Sequence, residues 1–161
     1  MTAPHDFDRL SQNWLHWSGV AQLHDLSVST SCDDCKILFS SEEYAVHLRS
    51  EGGWWIVDTV DDRKQRNNDT VRFSSYALAE KYLVWIWASA ARSVAGAPIL
   101  GRQFYDLGFD PGVEKTRISP GIYELRSIEG SAVVVEPYAT IFSHLMDKPE
   151  EEIEQMVRAG V

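Results

Sequence analysis

The run YLVWIWASAA, Tyr82 to Ala91, puts two tryptophans and almost nothing polar in the middle of an otherwise acidic chain. A bilayer span needs about 20 apolar residues, and this run, bounded by Lys81 and Arg92, is half that length. Read at helical spacing, Leu78, Tyr82, Trp85 and Ile86 share one face, and Leu83, Trp87 and Ala90 widen it until the helix is apolar nearly all round. Such a helix belongs inside a protein. Ser74 or Ser75 supplies its N-cap, while Gly96 followed by Pro98 supplies its stop. Replacing Trp85 by Ala is expected to cost about 3–5 kcal/mol through the cavity left behind.

Upstream of this helix, Phe7, Leu10, Trp14 and Trp17 recur at spacings of three and four, which predicts a helix over residues 5–18. Residues 22–29 carry a weak strand signal, and Asp33-Asp34 marks a turn. Cys35, Ile37 and Phe39 alternate with polar residues, as do Tyr44, Val46 and Leu48, which reads as a hairpin. After Gly52-Gly53 comes WWIVDTV, Trp54 to Val60, a third strand rich in β-branched and aromatic side chains. Residues 61–70, DDRKQRNNDT, hold no apolar side chain and are expected to form an exposed loop.

Beyond the central helix, GRQFYDLGFDPG reads as a connection. Three strands follow, Val113 to Ser119, Ile122 to Ile128 and Ala132 to Glu136, broken at Pro120-Gly121 and Glu129-Gly130. Ile141, Phe142, Leu145 and Met146 mark a short helix. A second carries Ile153, Met156 and Val157, with Asp147 and Glu150 spaced as a capping box. Short links imply antiparallel neighbours. The expected architecture is α+β: one domain over 1–161, an antiparallel sheet of about six strands packed on a long central apolar helix, with helices at both termini.

A net charge of -9 and a pI of about 4.9 count against nucleic acid as the main partner, since phosphate binding requires clustered Lys and Arg. Met1 to Asp6 lacks the basic and apolar regions of a secretory signal, so a cytoplasmic location is expected, with no membrane association.

Catalytic patterns are missing from the residues. Cys32-Asp-Asp-Cys35 has no second C-x-x-C or H-x3-5-H to complete a zinc tetrahedron and does not open a helix, so it is expected to be a plain turn with adjacent thiols. His47 falls on the polar side of its strand and is expected to be exposed. Asp58, with Asp61 and Asp62 just past its strand, is a place where a catalytic carboxylate pair could hide. Glu150, Glu151, Glu152 and Glu154 suit the positive end of a helix dipole. Gly101, Gly108 and Gly112 match no nucleotide-binding pattern, and there is no G-x-S-x-G elbow. No catalytic residue, metal or cofactor is expected.

The segments AEKYLVWIWASAARSVAGAPIL, Ala79 to Leu100, and ATIFSHLMDKPEEEIEQMV, Ala139 to Val157, resemble the immunity protein 61 family of bacterial polymorphic toxin systems, which includes the antitoxin of the tuberculosis necrotizing toxin. The resemblance rests on Trp14 or Trp17, Arg92, Gly96, Pro98, Ser143, His144 and Leu145. It implies an α+β protein, not itself an enzyme, that binds a cognate toxin and blocks its active site, the toxin in the best-known case being an NAD-glycohydrolase. The free chain is expected to be a monomer. Exposure and residue type suggest Asp61, Asp62, Arg63 and Lys64 as one contact group, and Tyr105, Asp106, Phe109 and Asp110 as another, on a segment expected to be neither strand nor helix. The competing reading is a ligand-binding or enzymatic domain with a pocket between the sheet and the Trp85/Trp87 helix.

Overall fold

The computed structural model describes residues 6–160. The expected helix start at His5, and most of the N-terminal stretch read for a signal, lie outside them. Helix α1 spans Asp8–Val20 and buries Leu10, Trp14 and Trp17, the stripe expected from the spacing. Strands β1 (Ser27–Ser29), β2 (Ile37–Ser40), β3 (Ala45–Glu51) and β4 (Trp54–Val60) form an antiparallel meander. Phe39 pairs with Val46 and Leu48 with Val57 in this register, so the apolar residues of all three longer strands reach the same face.

The chain then departs from expectation. Residues 61–70 are not all loop: the turn closes by Gln65, and Arg66–Phe73 forms β5 against β4. Its first five residues carry no hydrophobic signal because they are exposed or half-exposed. Only Val71 and Phe73 enter the core. Backbone pairing with β4 therefore defines most of this strand.

Ser75 caps α2, Tyr76–Val94, by accepting a hydrogen bond from the Leu78 N–H, and the helix lies across the inner face of the sheet. After α3 (Arg102–Leu107), strands β6 (Glu114–Ser119), β7 (Ile122–Ser127) and β8 (Gly130–Val135) form a second meander. β8 pairs with β5 through Arg72/Val133 and Phe73/Ala132, joining both meanders into one eight-stranded antiparallel sheet of order β1-β2-β3-β4-β5-β8-β7-β6. The fold is α+β, with eight strands rather than about six and with five helices among the described residues.

Helices α4 (Tyr138–Ser143) and α5 (Glu150–Ala159) complete the helical layer, α1 and α5 both packing on α2. The residue before α5 is Pro149, which has no side-chain cap to offer, so Asp147 does not close a capping box. Between helix layer and sheet lie aromatic rings in contact. Trp87 meets Trp14 at 5.1 Å and Phe39 at 5.0 Å, and Phe142 meets Phe73 at 5.5 Å and Tyr82 at 5.8 Å. The space between the sheet and the Trp85/Trp87 helix, where a pocket is the competing expectation, is filled by these side chains. Each buried aromatic of this kind contributes on the order of 2–3 kcal/mol by removal from water.

Candidate functional site on the open face of the sheet

Because side chains alternate along a strand, the residues between the core positions of β3 and β4 point away from α2. Register places His47 opposite Asp58 and Arg49 opposite Ile56 on that outer face. Asp58 is nonetheless fully buried, because two arginines lie over it. Its Oδ2 accepts from Arg49 Nε at 2.8 Å and Arg66 Nη2 at 3.0 Å. The third donor is backbone. A register shift between Val57 and Thr59 loosens the β4/β5 ladder, and Asp69, at a φ of 52°, turns its N–H onto Asp58 Oδ1 at 2.7 Å.

The cluster extends on both sides. Arg66 Nη1 donates to Asp34 Oδ2 at 2.7 Å, and Arg49 also pairs with Glu51. Asp34, Arg49, Asp58, Arg66 and Asn68 line a depression of about 390 Å³. Beside it, Arg72 lies over the Trp54 ring, 5.7 Å from its centroid. Burial pushes the Asp58 carboxyl upward, but the hydrogen bonds from Arg49, the Asp69 amide and Arg66 outweigh it, and its pKa falls below the ordinary carboxylate value. The same bonds raise the pKa of both guanidinium groups. For His47, burial and then the nearby Arg66 charge lower the imidazole pKa. His47 is not the exposed residue expected, since its side chain is only 15% accessible.

An aspartate that is ionised and already accepts three hydrogen bonds is poorly placed to take a proton from a substrate. Nor does the turn bring it a partner acid: Asp61 Oδ1 accepts from the Arg63 and Gln65 amides at 2.9 Å each, which shapes the β4–β5 turn. Asp58 and Asp61 are therefore occupied separately. The cluster can instead present a rigid array of both charge signs.

The two expected contact groups have different settings. Asp62, Arg63 and Lys64 are exposed on the β4–β5 turn and Asp61 is half-buried, with Lys64 Nζ donating to the Glu42 carbonyl at 2.6 Å. Tyr105 and Asp106 are exposed, but on helix α3 rather than on irregular chain. Phe109 and Asp110 are half-buried. Phe109 packs on Tyr123 at 5.0 Å under the Lys115 ammonium at 4.3 Å, and Asp110 Oδ1 accepts from the Gly112 amide at 2.8 Å. Each of the two groups is anchored to its own surroundings.

The Ser143-His144-Leu145 segment explains how α3 is held. Ser143 Oγ accepts from the Asp110 N–H at 2.9 Å and donates to the Thr140 carbonyl at 2.6 Å. His144 Nε2 meets the Gly108 carbonyl at 2.6 Å and its ring stacks on Phe104 at 5.0 Å, while Leu145 is fully buried. A short run that looks like a motif in sequence is thus the clamp that fixes the 104–110 segment at the surface. Leu107, by contrast, is 74% exposed.

Sequence reasoning missed Arg49, Arg66 and the Asp69 amide as partners of Asp58. The one local signal was an acidic residue inside the apolar run WWIVDTV; its partners come from other strands and loops.

No curated protein matches the chain. Among solved structures, Rv3902c from M. tuberculosis superposes with a TM-score of 0.71 at 16% identity, covering 98% of this chain and 91% of that one, a likeness of fold. The family model for immunity protein 61 matches residues 18–159, which include the sheet, the central helix and the Ser143-His144-Leu145 clamp. The chain belongs to the immunity protein 61 family.

Proposed function

We propose that this protein is a toxin inhibitor with no catalytic activity of its own, a monomer when free, which acts in the cytoplasm by binding a cognate secreted toxin and covering its active site. The observation that carries this reading is the family match over residues 18–159. The net charge of -9 supports a basic toxin surface as the counterpart, because complementary charge speeds encounter and fixes register. The contact surface combines the β4–β5 turn, Asp61 to Lys64, with α3 and the segment after it, where Tyr105 offers an aromatic anchor and Asp106 a carboxylate, with Phe109 and Asp110 behind them. The toxin is an NAD-glycohydrolase.

The test is to mix the purified chain with the toxin domain encoded beside it and follow NAD hydrolysis. One equivalent of the chain should abolish turnover, and size-exclusion chromatography should show a one-to-one complex. Charge reversal at Asp62, or Tyr105→Ala, both exposed, should each weaken binding at least tenfold without lowering the melting temperature. A lack of complex at micromolar concentration would reject the inhibitor reading for that toxin. A complex that inhibits a toxin of other chemistry would leave inhibition standing and remove the NAD-glycohydrolase assignment.

A further inference from the structure

The loop between β1 and β2 carries Cys32, Asp34 and Cys35, and the pairing of Leu38 with His47 brings the His47 imidazole beside it from the neighbouring strand. Cys32 Sγ lies 3.6 Å from His47 Nδ1 and 3.2 Å from Asp34 Oδ1, and Asp34 Oδ1 lies 3.7 Å from His47 Nδ1. One ligand atom from each of the four residues falls within 4.8 Å of every other. With bond lengths of about 2.0–2.3 Å, a tetrahedral zinc ion sets its ligands about 3.3–3.8 Å apart. The histidine, aspartate and Cys32 sulfur are thus already near the corners of a zinc tetrahedron. Only the sulfur pair departs from it, since Cys32 and Cys35 are joined as a disulfide rather than left as the expected adjacent thiols.

We propose that reduction of the Cys32–Cys35 disulfide converts this corner of the sheet into a binding site for one Zn²⁺, with Cys32, Cys35, His47 and Asp34 as ligands. The steps balance. A dithiol reductant gives two electrons and two protons to the disulfide and leaves as its own disulfide, while the S–S bond breaks to two thiols. Zinc then replaces the two thiol protons, which pass to solvent. His47 binds through Nδ1 as neutral imidazole, and Asp34 through Oδ1. Two thiolates and a carboxylate exceed the charge of the ion by one. Arg66, donating to the other Asp34 oxygen at 2.7 Å, offsets that excess and orients the carboxylate.

Thiolate with imidazole favours zinc over calcium or magnesium, which prefer oxygen ligands. Access is open, since both cysteines and His47 are half-buried and Asp34 is exposed. The usual zinc spacings fail here because the third and fourth ligands are assembled by strand pairing and a bent loop.

The experiment needs no toxin and stands apart from the inhibitor proposal. The full chain, reduced with a phosphine that becomes its oxide, is titrated with Co²⁺ as a spectroscopic probe and then with Zn²⁺. One equivalent of Co²⁺ should produce a thiolate-to-metal charge-transfer band and the strong visible bands of tetrahedral cobalt, and Zn²⁺ should bleach both. The oxidised chain should show neither. Cys32→Ser should abolish the charge-transfer intensity at stoichiometric metal, and His47→Ala and Asp34→Ala should each weaken Zn²⁺ binding at least tenfold. Far-UV circular dichroism checks that each variant folds, and Asp34→Asn gives a second variant of the same volume. Absence of the band in the reduced chain, an octahedral cobalt spectrum, or unchanged affinity in the His47 or Asp34 variants would overturn the site.

Discussion

Replacing Asp58 by Asn tests whether the outer-face cluster is held together as described. The substitution keeps the volume and one acceptor for the Asp69 N–H, but it turns an amide NH₂ or a neutral oxygen toward two guanidinium groups. Breaking a fully buried ion pair costs about 3–5 kcal/mol. Here the arginine side chains are 22% and 31% exposed and can regain water. The loss should therefore be nearer that of two charge-assisted hydrogen bonds, about 3 kcal/mol in all. For a chain of this size about 2–4 °C of melting temperature accompanies each kcal/mol, which gives a fall of about 6–12 °C at neutral pH.

The pH dependence supplies an independent sign. The folded-state pKa of Asp58 is depressed below its ordinary value of 3.8. In the window between the two, the unfolded chain holds more protons, so stability rises with pH there. The contribution is present above 3.8 and is lost as pH falls through the folded value. Melting of wild type and Asp58→Asn, followed by circular dichroism, should show the gap at neutral pH and its narrowing below 3.8. A variant that melts with wild type at neutral pH, or a gap that persists unchanged in acid, would refute the reasoning.

Three further perturbations follow from the packing. Arg9→Ala strands Glu80, whose side chain is 3% exposed and is bridged by Arg9 at 2.8 Å. With Arg9 itself 40% exposed, the loss should be about 2–3 kcal/mol by chemical denaturation, and adding Glu80→Gln should recover at least half of it. Glu150, in the first turn of α5, is pushed up to about 8 by burial and then by Glu80. The folded chain thus keeps a proton the unfolded chain loses, and stability declines as pH rises from 4.5 toward 8. Glu150→Gln should flatten that decline and stabilise by about 1 kcal/mol at neutral pH after allowance for solvent screening; destabilisation would mean that the helix dipole outweighs burial. Gly101, at a φ of 81°, has room for no methyl group: a Cβ there would sit 2.8 Å from Trp85 Cζ2 and 3.1 Å from Ile141 Cγ2. Gly101→Ala should cost about 2–4 kcal/mol, visible as a lower denaturant midpoint with an unchanged slope.

Most of the strands and helices legible in the sequence bury several of their own apolar residues; β6, exposed along nearly all its length, is the exception and is delimited by Pro120-Gly121. WWIVDTV matches β4 to the residue, and the central helix, its serine cap and its glycine stop follow the same logic. Elsewhere, loss of burial removes the signal. β5 begins in RNNDT, which is polar because that part of the strand faces water, so its place in the sheet comes from hydrogen bonds to β4 that no side-chain pattern encodes. Helix α3 lacks a helical signal for the same reason, since it buries no residue.

The structure adds a partner to the acidic run at the start of α5. Arg9, on α1, reaches Glu151 at 3.2 Å and Glu154 at 4.0 Å as well as Glu80.

Local sequence determined the class of fold, the core helix, most strands and the family, because these depend on spacings within a few residues of one another. Tertiary structure alone decided the eighth strand, the threefold capture of Asp58 and the meeting of Cys32, Asp34, Cys35 and His47. Those contacts join residues on different strands and loops, and their geometry is set by sheet register, in which a shift of one position would turn each side chain to the opposite face.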